Sequence, residues 1–330
     1  MNDNKERLKI ITEEIIEPEL PICDPHHHLW NSPGRQYLLK ELFEDIGGGH
    51  NIVETVFIES ASVKQYDKPQ MMQPVSETKF THEITQPNLS SQYGKTKVAA
   101  GIVGFADLTL GSGVAPVLEA HIAASDRFKG IRQICSWDKH SDIIHATAAP
   151  GLLRDGKFRQ GVARLPEYGL SFETFIYHPQ IMELVDLARA LPNVTVILDH
   201  IGGPLGIGPY AEDKEESINQ WKRGMIALSA CSNVFIKLGG LGMLICGFGW
   251  NERGVPPDSS EVAEETAPYY LWCIENFGVE RCMFESNFPV DKASYSYNTL
   301  WNAFKRLSRG FSPEHRAALF HDTAVKAYRL

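Results

Sequence analysis

Residues 21–30 read PICDPHHHLW. Taken as a strand over residues 22–29, alternate side chains share a face. The spacing therefore predicts Asp24, His26 and His28 on one face and His27 on the other. Two imidazoles side by side, with a carboxylate one pleat below, can hold a metal ion or grip a developing negative charge. The plainer alternative is an edge strand with solvated histidines, and the rest of the chain has to decide between them.

Seven further short runs rich in β-formers follow, at residues 54–60, 98–108, 128–134, 170–177, 194–200, 234–239 and 282–287. Helical patterns separate several of them, at 114–125, 179–191, 215–230 and 261–277. Strands alternating with helices argue for parallel βα units, and eight of them for an α/β fold of the closed (β/α)8 TIM-barrel kind. A doubly wound sheet would want a glycine-rich phosphate loop after the first strand, and PHHHLW is no such loop. Three connections, 61–97, 137–164 and 240–260, exceed the usual length and each follows a strand. In a deformed barrel they would be long βα loops over the C-terminal rim, where barrel active sites sit. The tail, 298–330, reads as two closing helices. The whole chain, 1–330, is expected to be one domain with residues 1–20 as an N-terminal extension.

Composition narrows the function classes. A net charge of −9 argues against nucleic acid or an anionic membrane as partner. The charged start, MNDNKERLKI, lacks the apolar region of a signal peptide. The six cysteines, without paired CxxC spacing, suit a reducing compartment. These features imply a soluble, cytoplasmic protein acting on a small molecule; homo-oligomerisation rests only on base rates.

Polar residues gather where the strand candidates end: Glu59, Arg132 with Gln133, His178, Asp199 with His200, Lys237, and Glu285 with Asn287. Burying charge without partners is costly, so a set at one rim reads as a site. His178, just before a proline and a helix, could equally be a turn residue. Lys237 and Arg132 could equally be salt-bridged barrel residues. Strict alternation lets only one of Asp199 and His200 face the centre, and the glycine turn after it favours His200. His121, His140, His145, His315 and His321 read as surface or packing residues.

The motifs DPHHHLW, YHP, LDHIGGP and ESNFPVD together resemble the amidohydrolase superfamily, and within it the lactonase group of 2-pyrone-4,6-dicarboxylate lactonase and fuconolactonase. The resemblance implies a hydrolase that opens lactones or similar cyclic esters. It also implies a metal-binding set of His26, His28, His178 and His200, completed by an aspartate after the eighth strand. Here that position is Asn287, which has no useful basicity. Glu285, one pleat earlier, or Asp291, four residues on, would replace it, with Asp291 expected near the substrate and Glu285 deeper. A divalent ion, zinc first and manganese second, and a metal-free route both stay open, because the resemblance spans both.

The expected reaction is water attack on a ring carbonyl. His26, His28 and His200 would stabilise the oxyanion, and Asp291 or Glu285 would act as base. Arg132 would grip a substrate carboxylate, helped by Lys237, with Asn287 beside the substrate. The rival readings are a metal-dependent decarboxylase of an aromatic or dienoic acid, an amide or imide hydrolase on the same site, and a non-catalytic binder that has lost its base.

Overall fold

The computed structural model describes residues 2–330, apart from 64–66, 145, 147 and 148. His145 lies outside the described residues. Eight parallel strands run in chain order round one sheet: Pro21–His27, Asn51–Ile58, Lys97–Gly104, Phe128–Arg132, Ser171–Thr174, Val196–Leu198, Val234–Leu238 and Cys282–Phe284. The ring closes where the two motifs richest in polar residues meet. His28 N–H donates to Phe288 O at 2.8 Å, and Asn287 N–H donates to His26 O at 3.0 Å. The fold is an α/β TIM barrel, as the alternating pattern implies.

Two apolar layers hold it. Inside the ring, Cys23, Val56, Ile58, Val103, Ile197 and Met283 pack together. The last helix, Thr323–Tyr328, adds Ala324, Ala327 and Tyr328 to that inner cluster. Outside, a larger cluster joins the strands to the helices, with Leu118, Leu184, Trp221, Tyr270 and Trp301 among its members. The four expected helices are present as Ala115–Ala124, Ile181–Ala190, Lys214–Ser229 and Ser259–Phe277.

The long connections differ in kind from plain loops. The stretch 61–97 contains the helix Val75–Ile84, and 137–164 contains Gly156–Val162. The tail carries Tyr297–Leu307, Pro313–Ala317 and Thr323–Tyr328, the last two joined through a wider turn, rather than two simple helices. No helix among the described residues is long and apolar enough to cross a membrane.

The first strand departs from simple alternation. Its pairing with the second strand shifts register between Asp24 and His27. Cys23 faces the inner cluster, so Asp24 faces outward, and the irregularity then brings His26 inward. Asp24 accordingly sits behind the histidines instead of below them. Its carboxylate accepts from the peptide N–H groups of His26 and Ser286 and from the Tyr297 hydroxyl. It ties the first strand to the eighth and to the helix outside.

Several histidines are buried as neutral packing groups. His121 takes a hydrogen bond with Thr78, donates to Phe105 O and stacks on Phe128. Burial holds its pKa at about 4, against about 6.5 in the unfolded chain. A depressed histidine pKa means that the unfolded chain takes up the proton first. Its contribution is complete above pH 6.5, declines as the pH falls towards 4, and is lost below, on a scale of about 3 kcal/mol. Denaturant titrations from pH 7.5 to 4 should show this decline, and His121→Gln should make the slope shallower.

Candidate active site

The inward-facing ends of the strands meet in a buried cluster of charge. Lys237, in the middle of the seventh strand, is fully enclosed. Its ammonium lies 2.6 Å from Glu173, 3.2 Å from Asp199 and 4.0 Å from Glu285. It also donates to His26 Nδ1 at 3.1 Å. Burial opposes its charge, but these carboxylates outweigh that and raise its pKa. Glu173, from the fifth strand, shares its other oxygen with the Tyr328 hydroxyl at 2.6 Å. Burial pushes the Glu173 carboxyl up to about 8, despite Lys237. Burial would raise Asp199 too, yet Lys237 and His26 hold it well below the usual range.

Glu285, from just after the eighth strand, joins two histidines. It accepts from His200 Nδ1 at 2.6 Å and from His200 N–H at 3.1 Å, and its second oxygen lies 2.8 Å from His26 Nδ1. Burial opposes its ionisation, but His200 and His26 prevail and hold it at about 2. Glu285 in turn raises the pKa of His200 in spite of burial. His200 reaches this position because residues 200 and 201 turn left-handed, with φ of 52° and 48°. The turn breaks the alternation, so Asp199 and His200 both face the centre. The expectation that only His200 would do so is corrected.

The proton position on His28 follows from its partners. His28 Nδ1 meets Ile58 O at 2.9 Å, and a carbonyl only accepts, so that nitrogen carries the hydrogen. His28 Nε2 is then an acceptor, 3.3 Å from His26 Nε2. His26 meets donors at both ring nitrogens, Lys237 Nζ 3.1 Å from Nδ1 and Arg132 Nη1 3.5 Å from Nε2, with Glu285 Oε2 also 2.8 Å from Nδ1. Burial lowers the pKa of both rings.

Other expected residues stand elsewhere. Arg132 does not present a free fork. Its Nε donates to Glu59 at 2.9 Å and its Nη2 to Glu59 O at 2.6 Å. Its Nη1 lies 3.4 Å from Asp199 and 3.5 Å from His26 Nε2. The assignment of Arg132 to a substrate carboxylate is therefore corrected, since each guanidinium nitrogen is engaged within the protein. Lys237 is enclosed likewise and cannot reach a substrate carboxylate.

His178 lies apart from the cluster. Its Nδ1 accepts from Leu205 N–H at 3.1 Å, so the ring hydrogen sits on Nε2 and leaves no lone pair for a metal. The ring meets Tyr210 edge-on, and the charged group acting on it is Asp138. Its place in the metal set is corrected. Asp291 is fully buried and accepts from Asn287 Nδ2 at 2.8 Å, Gly242 N–H at 3.0 Å and the Tyr295 hydroxyl at 2.7 Å. Burial lifts it to about 6. Asn287 thus faces Asp291 rather than open space, and both are held as a structural corner.

Sequence reasoning passed over Glu173 and Tyr328. A lone carboxylate inside the apolar run LSFETF was the available signal for Glu173. Nothing local marks Tyr328, which reaches the barrel interior from the last helix.

Among the described residues, two sets of side chains offer ligand atoms within 4.8 Å of one another: His26 with His200 and Glu285, and His26 with Glu173 and Asp199. Buried oxygens of Asp199 and Glu285 lack hydrogen-bond partners among the described residues. The Nε2 atoms of His26 and His28 converge, and each ring has a partner waiting at Nδ1, the arrangement that orients histidine ligands. This donor set fits a divalent metal.

The rim above is nearly shut. His28 is 5% exposed, and His200 3%. Phe175 lies edge-on to His200 at 5.2 Å, next to an apolar group of Ile143, Tyr177 and Leu205. A large cavity of about 1270 Å³ is at the other end of the barrel, beside Glu54, Arg127 and Leu330, away from these histidines.

The Asn287 corner is open to test. Asn287→Asp would set a second carboxylate against Asp291, replacing a hydrogen bond with like-charge contact. Urea denaturation at pH 7.5 should show a loss of about 1–3 kcal/mol. The loss should shrink at pH 5, where the paired carboxyls, with raised pKa, can hold a proton between them.

Comparison with known proteins agrees with this architecture. The family model described as amidohydrolase matches residues 23–330. An uncharacterised protein of Sinorhizobium fredii, y4mH, is 32% identical, over 94% of this chain and 99% of its own length. L-fucono-1,5-lactonase of Burkholderia ambifaria is 24% identical, over 93% of this chain and 95% of its own. Among solved structures, a Burkholderia multivorans amidohydrolase with bound zinc superposes with a TM-score of 0.70 at 20% identity, covering 94% of this chain and 99% of that one. From the fold, the matched residues and the relatives together, the chain belongs to the amidohydrolase family.

Proposed function

We propose that this amidohydrolase hydrolyses a lactone or similar cyclic ester, with His200 and Glu285 as its acid–base pair. The observation that carries the reading is the 2.6 Å contact between His200 Nδ1 and a fully buried Glu285. A carboxylate that fixes one ring nitrogen leaves the other directed away from it, as in hydrolases that act through histidine. Glu285 itself, held at about 2, is too weak a base to activate water. Asp291 has closer to the right proton affinity, but its oxygens are committed to Asn287, Gly242 and Tyr295.

His200 takes a proton from water as the oxygen attacks the ring carbonyl, and Glu285 stabilises the imidazolium so formed. The carbon–oxygen bond to the ring oxygen then breaks, and His200 returns the proton to that leaving oxygen. The product is an open-chain hydroxy acid. The fuconolactonase relative supports this substrate class. A metal, zinc before manganese, would be held by His26 and His28, near Glu285 and His200, and when bound would supply Lewis-acid polarisation of the ester carbonyl. Because the rim is nearly shut, the apolar group around Tyr177 and Leu205 must shift for a substrate to enter. With Arg132 engaged, a carboxylate on the substrate would fall to Arg35, whose guanidinium lies 3.4 Å over the Trp30 ring, itself stacked on His28.

A panel of five- and six-membered sugar lactones, followed by indicator-detected acid release, tests the reading. Turnover without carbon dioxide is expected, and His200→Asn should lower kcat on the order of 100-fold or more. As His200 must be neutral to accept a proton, kcat should fall as the pH drops through its raised pKa, above about 6.5. Carbon dioxide release from aromatic acids, with no lactone turnover, would overturn the assignment in favour of a decarboxylase.

A further inference from the structure

A separate cavity of about 600 Å³, a volume within the range of small-molecule sites, lies between two of the outer helices. They are Lys214–Ser229, after the sixth strand, and Ser259–Phe277, after the seventh. The connections before those helices complete its wall, with Leu205 from one and Phe248 from the other. Leu205 also belongs to the apolar group beside His200. The cavity thus adjoins the cover of the active site, yet no histidine or carboxylate of the central cluster lines it.

The charge of this cavity is one-sided. Lys214, Ile218 and Lys222 follow at steps of four, so they share one helix face, and that face lines the cavity. Among the described residues neither lysine has an ion pair or a side-chain hydrogen bond, although Lys222 is half-buried. On the facing helix, Glu265 is answered by Arg253, whose guanidinium lies 3.9 Å away and also pairs with Glu261. The acidic neighbours of Lys214 in sequence, Asp213, Glu215 and Glu216, do not line the space. The two lysines therefore leave the cavity positive, in a chain whose net charge is −9.

The aromatic part of the wall suits a ring. Phe248 and Tyr269 meet at 6.3 Å and 71°, and each is backed by a tryptophan. Phe248 stacks on Trp250 at 4.4 Å, and Tyr269 meets Trp221 edge-on at 5.3 Å. The two rings form a supported apolar corner facing the lysine-bearing helix. We propose that this cavity binds a small organic acid whose carboxylate is carried on a ring. The ring lies against Phe248 and Tyr269, and the carboxylate is held by Lys222 with Lys214. The site is separate from the catalytic cluster, and the proposal does not depend on the lactonase reading.

The test is equilibrium dialysis of the full-length protein against radiolabelled benzoate, with benzyl alcohol as the uncharged counterpart. Benzoate should bind saturably and more tightly than benzyl alcohol, on the order of 10-fold. Lys222→Met removes the charge and keeps the stem, and should weaken benzoate on the order of 10-fold. Lys222 has no partner to lose, so this variant should fold with an unchanged Tm. Ile218→Trp keeps both charges but fills the space between them, and should weaken benzoate as much. His200→Asn should leave benzoate binding as it is. Absence of saturable binding would overturn the proposal. So would binding that Ile218→Trp leaves intact, which is attraction to surface charge alone. Binding that falls in His200→Asn but not in Lys222→Met would also overturn it, by placing benzoate in the active site.

Discussion

The constraint on which this structure depends is the enclosure of one ammonium among three carboxylates inside a barrel. An isolated charge at the Lys237 position would be costly to bury, and so would any of Glu173, Asp199 or Glu285 alone. Together they come from the fifth, sixth and seventh strands and the end of the eighth, so they meet only when the ring has closed in the right register. Removing one partner leaves the others uncompensated, on a scale of about 3–5 kcal/mol for a buried pair. The cluster is therefore a condition on the fold as much as a tool of the site. The same ammonium also donates to His26 Nδ1.

Function grows out of the asymmetry of this cluster. On one side Lys237, Glu173 and the Tyr328 hydroxyl form a closed network with no opening to the rim. On the other side Glu285 holds His200, whose ring touches Phe175 under the apolar cover. Arg132 and Glu59 join the first side, bridging Asp199 to the end of the second strand. Enclosed charge on one side and one polarised histidine on the other suit a reaction in which proton transfer is placed and the charge around it is preorganised.

Much of this was legible in the sequence, and the parts that were not share a cause. The eight β-rich runs and their alternation with helices mark the barrel, because buried parallel strands need continuous apolar stretches. His26, His28, His200, Glu285 and Lys237 are found from polar residues that a core strand does not need. Facing directions fail wherever the backbone leaves ideal geometry. The register shift after Asp24 brings His26 inward while Asp24 stays outward, and the left-handed turn at His200 and Ile201 lets Asp199 join its neighbour. Partners fail wherever they lie across the barrel. Arg132 looked free because Glu59 is 73 residues away in the chain. Glu173 looked like a strand residue because Tyr328 approaches from the far end of the sequence. His178 shares a sequence pattern with the site residues but opens a helical turn, and its ring meets Tyr210.

The contact between His200 and Glu285 joins fold, charge and proposed chemistry in one place. Long-range nitrogen–proton correlation spectra of the metal-free protein, with nitrogen-labelled histidine and the resonances assigned by His200→Asn, report the His200 proton directly. The expected result, at a pH where His200 is neutral, is a hydrogen on Nδ1, towards Glu285, with Nε2 unprotonated. A neutral His200 carrying its hydrogen on Nε2 would contradict the account, because Glu285 would then not fix the ring and the nitrogen directed away from it could not take a proton from water.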